Sequence, residues 1–263
     1  MKYLLRSLVP ASMQVPVKYM INKWRKQLEP EMELLPFLAK PGERALDIGG
    51  NRGLYTYALW RLGSKVDVFE PNPECSKVLT AWASNKKTVV VHTVGLSNET
   101  GEAELHIPLD KFGNAHDASA SLNRSVSATT RDERIVLSTL DSFAFDMVSV
   151  VKIDVEGHEY NALMGGKRLF QSQRPSLIVE IEQRHNTESI SNIFCLIKSW
   201  GYCGYFLRAG KLVDLELFDL HKDQNLENLA KNIGSYINNF LFLHTTRLEQ
   251  GSYTDLISKW GPK

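Results

Sequence analysis

Short apolar runs rich in β-branched residues alternate with helix-like patterns from residue 43 onward. Runs of this length are typical of strands buried on both faces, and their alternation with helices predicts parallel strands joined by crossover helices. The chain is therefore predicted to form a doubly wound α/β domain. The predicted strands are 44–48, 65–69, 88–93, 148–153, 176–181, 202–207 and 240–244, with a further extended piece at 102–107; the predicted helices are 54–62, 73–84, 159–170 and 188–200.

Two stretches interrupt this regular pattern. Residues 108–134 are rich in Ser, Asn, Asp, Thr and Arg, which predicts a long surface loop that is either a spacer or a lid in contact with substrate. A second polar stretch, including 219–232, precedes the final strand. Residues 1–40 fall outside the alternating pattern, so we expect an N-terminal basic, helical extension followed by one domain over 41–263.

Composition narrows the classes of function. The formal net charge of the 263 residues is +1, so no overall field attracts nucleic acid, and we expect no nucleic-acid partner. The three cysteines are widely spaced and lack the neighbouring histidines of a metal site, which favours a reducing compartment such as the cytoplasm. No apolar run approaches the roughly 18 residues of a membrane span, and Arg6 interrupts the N-terminal apolar stretch that a signal peptide would need.

The N-terminal region carries a local excess of positive charge. It could lie against an anionic membrane or a partner, or it could form a solvated basic helix that caps the domain. Pro10 and Pro16 should interrupt a long amphipathic stripe, which favours the capping helix. The basic residues that precede the first acid, Glu29, are Lys2, Arg6, Lys18, Lys23, Arg25 and Lys26.

A glycine-rich segment, residues 47–53 (DIGGNRG), lies where the first predicted strand gives way to a helix. Glycine allows a tight bend and a close approach of a ligand to the main chain, and the helix that follows offers unpaired amides to an anion such as an amino-acid carboxylate. The spacing Gly49-x-Asn51-x-Gly53 departs from G-x-G-x-x-G, which weakens a dinucleotide interpretation. A bend that only joins strand to helix is the alternative.

Glu70 ends the second predicted strand, about 20 residues beyond Gly49. A carboxylate there can accept hydrogen bonds from the vicinal hydroxyls of a ribose, because doubly wound sheets bind ligands beyond the carboxyl ends of their strands. Glu70 could instead cap the helix after Pro71-Asn72-Pro73. Its combination with the glycine bend favours a nucleoside ligand but does not distinguish NAD from S-adenosylmethionine.

The strand at 148–153 ends in a charged segment, KIDVEGHE at 152–159. Charged groups beside a core are costly unless they pair, bind a ligand or take part in chemistry. Glu156 and Glu159 suit the acidic first turn of a helix, and His158 could face solvent. Asp154 is expected at the same sheet edge as Gly49 and Glu70, so it is a candidate for chemistry.

These motifs, in this order, resemble the FkbM family of S-adenosylmethionine-dependent methyltransferases over about residues 44–245. The resemblance implies a class I methyltransferase fold, a mostly parallel seven-stranded sheet with the last strand antiparallel, and transfer to a hydroxyl oxygen. The family usually has alanine where this chain has Gly50, a change expected to leave cofactor binding intact. The matching segments are 47–53, VFEPNP at 68–73, GLSNETGEAEL at 95–105, STLDSF at 138–143, 152–159, and IVEIE at 178–182.

The resemblance also implies roles for individual residues. Asp154 would lie near the transferred methyl group, and Glu180 would face the same cleft. Glu70 would bind the ribose. The methionine end of S-adenosylmethionine would be bound by Asp47, Gly49, Asn51 and Gly53, and the adenine would be bordered by Gly95, Leu96 and Ser97.

An alcohol is a weak nucleophile, so a positioned base should add about 10²-fold to 10⁴-fold to the rate, and the candidates are Asp154, His158 and Glu180. Alternatively, Asp154 and Glu180 could hold a divalent cation that lowers the hydroxyl pKa. Two other classes stay open: an NAD-dependent oxidoreductase, and a non-catalytic protein that binds a nucleoside or a partner.

The resemblance points to a saccharide, lipid or secondary-metabolite acceptor. The polar loop offers contacts that suit a sugar-like acceptor: Asn114, His116, Asp117, Ser119, Ser121, Asn123 and Arg124. The oligomeric state has no signal in the sequence.

Overall fold

The computed structural model describes residues 9–110, 112–113, 115, 120–122, 129–227 and 236–261. The alternation predicted from the apolar pattern is confirmed, and the strands at 44–48, 65–69 and 148–153 have the predicted bounds. The strands are β1 (Arg44–Ile48), β2 (Lys65–Phe69), β3 (Val89–His92), β4 (Gly95–Leu96), β5 (Gly101–Pro108), β6 (Thr130–Ser138), β7 (Val148–Ile153), β8 (Ser176–Glu180), β9 (Tyr202–Arg208), β10 (Lys211–Asp214) and β11 (Asn239–His244).

Helices cover both faces of the main sheet. The α-helices of the described residues are α1 (Ala11–Trp24), α2 (Leu35–Leu38), α3 (Leu54–Arg61), α4 (Pro73–Ala83), α5 (Glu159–Met164), α6 (Lys167–Gln173), α7 (Ser191–Ser199), α8 (Leu220–Asp223), α9 (Thr245–Glu249) and α10 (Thr254–Trp260). Short 3-10 helices span Pro30–Glu33, Leu140–Ser142, Gln183–His185 and Leu215–Leu217.

The main sheet has the strand order β10-β9-β11-β8-β7-β1-β2-β3. Strands β1, β2, β3, β7 and β8 are mutually parallel, and β11, the last in the chain, pairs antiparallel with β8 and β9. The predicted doubly wound sheet with a reversed last strand is confirmed. The predicted strand number, seven, is too low: β10 turns back after β9 and adds an eighth strand at the edge, because the left-handed residues Ala209 and Gly210 make a tight hairpin.

The register brings the predicted site residues to one edge of the sheet. Ile48 lies opposite Phe69 of β2 and Ile153 of β7, and Ile153 lies opposite Val179 of β8. Parallel strands in register end together, so the residues that follow them meet at the carboxyl edge. These residues are Gly49, Glu70, Asp154 and Glu180.

A separate three-stranded sheet, β4-β6-β5, lies between β3 and β7 in the chain. The extended piece predicted at 102–107 is its strand β5, which pairs antiparallel with β6 from Gly101↔Leu137 to Pro108↔Thr130. The loop predicted for 108–134 is therefore wrong for 130–134. Leu105, Ile107 and Ile135 form a small buried cluster of their own, which explains why so polar a segment still folds as a sheet.

The single helix predicted for 159–170 is divided into α5 and α6 at Gly165–Gly166. A Cβ at Gly165 would lie 1.9 Å from the backbone oxygen of Ser97, so only glycine allows these two chain segments to approach so closely. The break between α5 and α6 therefore lies where the chain packs against the segment that follows β4.

The N-terminal region forms a helix, α1, that packs against α3 and α4. Pro10 precedes the helix and Pro16 lies inside it, and the helix nevertheless continues to Trp24. Burial compensates for the hydrogen bond that proline cannot donate: Val15 is fully buried, and the ring of Tyr19 lies 4.9 Å from that of Tyr57 on α3. Among the described residues, no helix has the length and apolar character needed to cross a bilayer.

Candidate active site

Gly49 begins the bend that follows β1, and its backbone has the left-handed φ of 79°. A Cβ at this position would lie 1.7 Å from the backbone oxygen of Asp154, the residue that follows β7. No side chain fits there, so glycine is required both by its φ and by the contact between two strand ends. The bend predicted from the sequence is thus held directly against the segment predicted to carry chemistry.

Glu70, the predicted ribose ligand, lines the cavity at this sheet edge. Its two carboxylate oxygens accept hydrogen bonds from two backbone amides, that of Asn51 at 2.6 Å and that of Asn72 at 2.7 Å. Burial raises the pKa of Glu70 to about 7 against the effect of these two hydrogen bonds. The alternative role of Glu70, as the cap of the next helix, is wrong. The cap of α4 is Asn72, whose side chain accepts a hydrogen bond from the amide of Glu74.

Asp47 and Gly53, at the two ends of the glycine-rich segment, support the bend. Asp47 is buried next to the last residue of β1, accepts a hydrogen bond from the hydroxyl of Thr56, and has a pKa raised by burial to about 6. Gly53 is the N-terminal cap of α3 at a φ of 76°, where a Cβ would lie 2.8 Å from Leu79. Neither residue lines the cavity among the described residues.

A cavity opens at this sheet edge, and one of its walls is apolar. Leu105 and Ile135 of the small sheet contribute to that wall, together with Ala120 and Leu122. The predicted cofactor-side and acceptor-side residues thus face one space. The predicted site residues that line the cavity are Gly49, Asn51, Glu70, Gly95, Leu96, Asp154 and His158.

His158 does not simply face solvent. Its Nε2 lies 3.0 Å from the hydroxyl of Ser97, and its Nδ1 lies 3.3 Å from the amide nitrogen of Asn161. Burial lowers the pKa of His158, so the ring is neutral near pH 7. Ser97, predicted to border the adenine, therefore connects that side of the cavity to a neutral imidazole.

Asp154 and Glu180 form a hydrogen-bonded carboxyl pair beside a buried lysine. Glu180 hydrogen-bonds the side chain of Asp154 and accepts a hydrogen bond of 2.7 Å from the amide of Asn238. Burial, and the proximity of each carboxyl to the other acids of the cluster, raise the pKa of both. The two carboxyl groups therefore share one proton at neutral pH. The group that is ionised can accept a second proton. Glu180 itself does not line the cavity among the described residues.

Lys152 supplies the positive charge behind this pair. Its ammonium lies 3.8 Å from Glu180, donates a hydrogen bond of 2.8 Å to Asn239, and lies 5.0 Å from the centre of the Tyr55 ring. The residue is only 1% exposed, yet its pKa is raised, because the surrounding acids more than offset the burial that alone would lower it. Lys152 is therefore a permanent cation in the protein core.

The same network extends to the N-terminal segment. The hydroxyl of Tyr55 donates a hydrogen bond of 2.8 Å to Glu29, and the amide of Asn239 lies 3.4 Å from the same carboxylate oxygen. Sequence reasoning did not select Lys152, Tyr55, Asn239 or Glu29 as candidate site residues. The signal for Lys152 was present, since it is the one charged residue of a buried strand; the other three become its neighbours only through the fold.

An acidic side chain at the rim of the cavity, Glu156, also has a partner of opposite character. Glu156, with a left-handed φ of 50°, lies 3.0 Å from Nε2 of His185, and burial raises its pKa to about 8. Its backbone oxygen accepts a hydrogen bond of 2.7 Å from Ser121, which brings one predicted loop residue to the rim. Glu159 caps the amide of Gly157, in agreement with the helix-terminus interpretation. The remaining loop residues predicted to contact the acceptor, Asn114, His116, Asp117, Ser119, Asn123 and Arg124, lie outside the described residues.

Only one group of three His, Cys or carboxylate side chains in the described part of the chain is compact enough to surround a metal ion. It consists of Glu104, His106 and Asp132 on the small sheet. Asp154 and Glu180 belong to no such group among the described residues, and the Lys152 ammonium already provides a positive charge beside Glu180.

We expect Gly50→Ala to destabilise the fold by about 1–3 kcal/mol, because a Cβ there would lie 2.1 Å from a methyl group of the fully buried Val68. The double variant Gly50→Ala/Val68→Ala should be less destabilised than the sum of its single changes. Urea unfolding measures both. Gly101→Ala, where a Cβ has no atom within 4 Å, is the matched control. A Gly50→Ala protein as stable as Gly101→Ala would contradict this account of the bend.

The fold and the site define a class of protein. The strand order, the reversed last strand, and a glycine bend facing an acid at the end of the second strand together are those of a class I methyltransferase. Residues 47–203 match the family described as Methyltransferase FkbM domain. The chain belongs to the FkbM methyltransferase family, and the resemblance noted from its motifs is confirmed.

The individual proteins that this chain resembles share only low sequence identity with it. The hexuronic acid methyltransferase AglP of Haloferax volcanii is 26% identical over 175 residues, 65% of this chain and 70% of AglP. The crystal structure of methyltransferase FkbM from Methylobacillus flagellatus covers 83% of this chain with 15% identity and a TM-score of 0.49, and this chain spans about half, 51%, of that protein. A precorrin-6y C5,15-methyltransferase from Geobacter metallireducens covers 82% of this chain and 86% of its own, with 9% identity and a TM-score of 0.42.

Proposed function

We propose that this methyltransferase uses S-adenosylmethionine to methylate a hydroxyl oxygen of a saccharide that carries a hexuronic acid. The observation that carries the proposal is the convergence on one cavity of two groups of residues. Gly49, Asn51 and Glu70 suit the cofactor, and Asp154, next to Glu180, suits an acceptor hydroxyl.

The residues of the cofactor side fit S-adenosylmethionine. Each Glu70 oxygen uses one lone pair for a backbone amide and retains another that can accept a hydrogen bond from a ribose hydroxyl. The bend at Gly49 lines the cavity and could take the amino-acid end, and Gly95 and Leu96 also line the cavity and could border the adenine. When bound, S-adenosylmethionine supplies an electrophilic methyl group on a sulfonium.

The acceptor side then activates the hydroxyl. We assign Asp154 as the base: its carboxylate would take the proton of the acceptor hydroxyl, and S-adenosylmethionine, when bound, would supply the methyl group that the acceptor oxygen receives. Glu180 keeps its own proton and holds Asp154 in place through their hydrogen bond. The charge of Lys152 lowers the pKa of Asp154 and so favours the ionised form that can act as a base.

His158 is the second candidate base. It is neutral at pH 7 and lines the cavity, but its Nε2 already contacts Ser97 and its Nδ1 contacts Asn161. We therefore assign it to the positioning of Ser97.

The acceptor class is supported by the name of AglP, a hexuronic acid methyltransferase. It is also supported by the polar residues at the rim, where Ser121 and His185 both contact Glu156. We further propose that residues 41–263 form the catalytic domain and that the preceding segment completes it, because Glu29 reaches the network around Lys152. We also propose a reducing compartment such as the cytoplasm, because Cys75, Cys195 and Cys203 form no disulfide.

The test is transfer of a tritiated methyl group from S-adenosylmethionine to 4-nitrophenyl β-D-glucuronide, with 4-nitrophenyl β-D-glucoside as the matched neutral sugar. We expect labelled, alkali-stable methyl ether from the glucuronide and at least about 10-fold less from the glucoside. If alkali releases the label, the product is a methyl ester, and the sugar carboxyl rather than a hydroxyl is methylated. Thermal-shift titration separates the other classes: stabilisation by NAD and not by S-adenosylhomocysteine would overturn the methyltransferase cofactor.

A further inference from the structure

The outward face of α1 is apolar, which is unusual for a helix packed on the surface of a domain. The opposite face is the packed one, with Val15 fully buried and Tyr19 against Tyr57. An ordinary surface helix would place polar residues on its outer face. The residues at i, i+4, i+7 and i+11 on this outer stripe are Met13, Val17, Met20 and Trp24.

The stripe is exposed to solvent to an unusual degree. Met13 is 51% exposed, Met20 is 53% exposed and Trp24 is 82% exposed. Three large apolar side chains in a row, about 16 Å from end to end on a helix, form a continuous surface and not scattered exposed residues.

Positive charge surrounds the carboxyl end of the stripe. Lys23, Arg25 and Lys26 are exposed there, and no acid occurs between residue 9 and residue 28 of the described chain. The chain as a whole carries a net charge of only +1, so this excess is local and gives the protein one face with a preferred attraction for anions.

We propose that the outward face of α1 is a docking surface for an anionic lipid bilayer. Apolar side chains in a line, with a tryptophan beside basic residues, suit the boundary between headgroups and acyl chains. Basic residues there attract anionic headgroups, and the apolar stripe enters the interface. Because α1 is already folded and packed on α3 and α4, the surface exists before binding. The proposal is independent of the reaction that the enzyme catalyses.

Co-sedimentation of the full chain with vesicles tests the proposal. We expect binding to phosphatidylcholine vesicles that contain phosphatidylglycerol, and at least about 10-fold weaker binding to phosphatidylcholine alone. Binding should weaken further as salt is raised, because the attraction is screened. Equal binding to both kinds of vesicle, or no binding to either, would overturn the proposal.

Two sets of variants locate the surface. Lys23→Glu/Arg25→Glu/Lys26→Glu should weaken binding about 100-fold, whereas the same reversal at three exposed lysines elsewhere, Lys65→Glu/Lys87→Glu/Lys167→Glu, should leave α1 free to bind. Met20→Ser/Trp24→Ser should weaken binding about 10-fold, with Leu217→Ser, at a residue 64% exposed, as the control. Equal losses in the α1 variants and their controls would contradict a site on α1.

Trp24 provides a direct optical readout. It is far more exposed than Trp82, at 3%, or Trp200, at 7%, so transfer of Trp24 into a bilayer should shift tryptophan emission to shorter wavelength. Trp24→Ser should abolish the shift. Circular dichroism checks that each variant is folded. Sedimentation velocity tests whether a second copy of the chain covers this face instead. If the protein self-associates, loses that association in Met20→Ser/Trp24→Ser and does not bind vesicles, the face is a contact between two copies and the proposal is overturned.

Discussion

Replacing Glu70 with alanine is expected to weaken binding of S-adenosylhomocysteine at least about 100-fold, because it removes the carboxyl oxygens that we propose accept hydrogen bonds from both ribose hydroxyls. The amides of Asn51 and Asn72 would lose their shared partner as well, so the glycine bend would be less well positioned. Isothermal titration calorimetry measures the dissociation constant.

Two further variants make this result specific. Glu70→Gln keeps the shape and one acceptor oxygen, so it should retain part of the affinity that Glu70→Ala loses. Glu74→Gln removes an exposed carboxylate four residues further along and should bind the ligand as the wild type does. Near-normal affinity in a folded Glu70→Ala protein would remove the cofactor assignment.

Replacing Asp154 with asparagine is expected to lower kcat by about 10²-fold to 10⁴-fold while S-adenosylhomocysteine binds within a few-fold of wild type. Asparagine has nearly the same shape but cannot accept the proton of the acceptor hydroxyl. Asp146→Asn, an exposed carboxyl before β7, is the control. A large loss of cofactor affinity with little change in kcat would assign Asp154 to binding.

The pH profile distinguishes a base from a structural residue. Asp154 must be ionised to accept a proton, so activity should fall as pH drops through the pKa of the Asp154–Glu180 pair, which burial raises. The charge of Lys152 lowers the pKa of Asp154, so Lys152→Met should raise that pKa and move the acidic limb to higher pH. A folded Lys152→Met protein with an unmoved acidic limb would show that Lys152 does not tune the base.

Local sequence patterns predicted most of the main sheet. The runs 44–48, 65–69 and 148–153 are short and mostly apolar, so their assignment as buried parallel strands did not depend on distant contacts. Gly49, Glu70 and Asp154 were expected at one edge because parallel strands in register end together. These predictions succeeded because the apolar pattern of a strand and the common end of parallel strands are each enough to place these residues.

Predictions failed where distant segments decide the local structure. Strand β6 is rich in charge and was partly assigned to a loop, but its pairing with β5 buries Ile135. The helix predicted at 159–170 breaks because Gly165 contacts the backbone of Ser97.

The sequence by itself determined the order of strands and helices, the glycine bend and the acids that end three strands, because periodicity and turn chemistry act over a few residues. Tertiary structure alone decided that Glu29, Tyr55, Lys152 and Asn239 meet beside Glu180, and that a stripe of α1 is left facing outward. Hydrogen bonding and burial join residues up to about 200 positions apart in a chain, and no local pattern records such contacts.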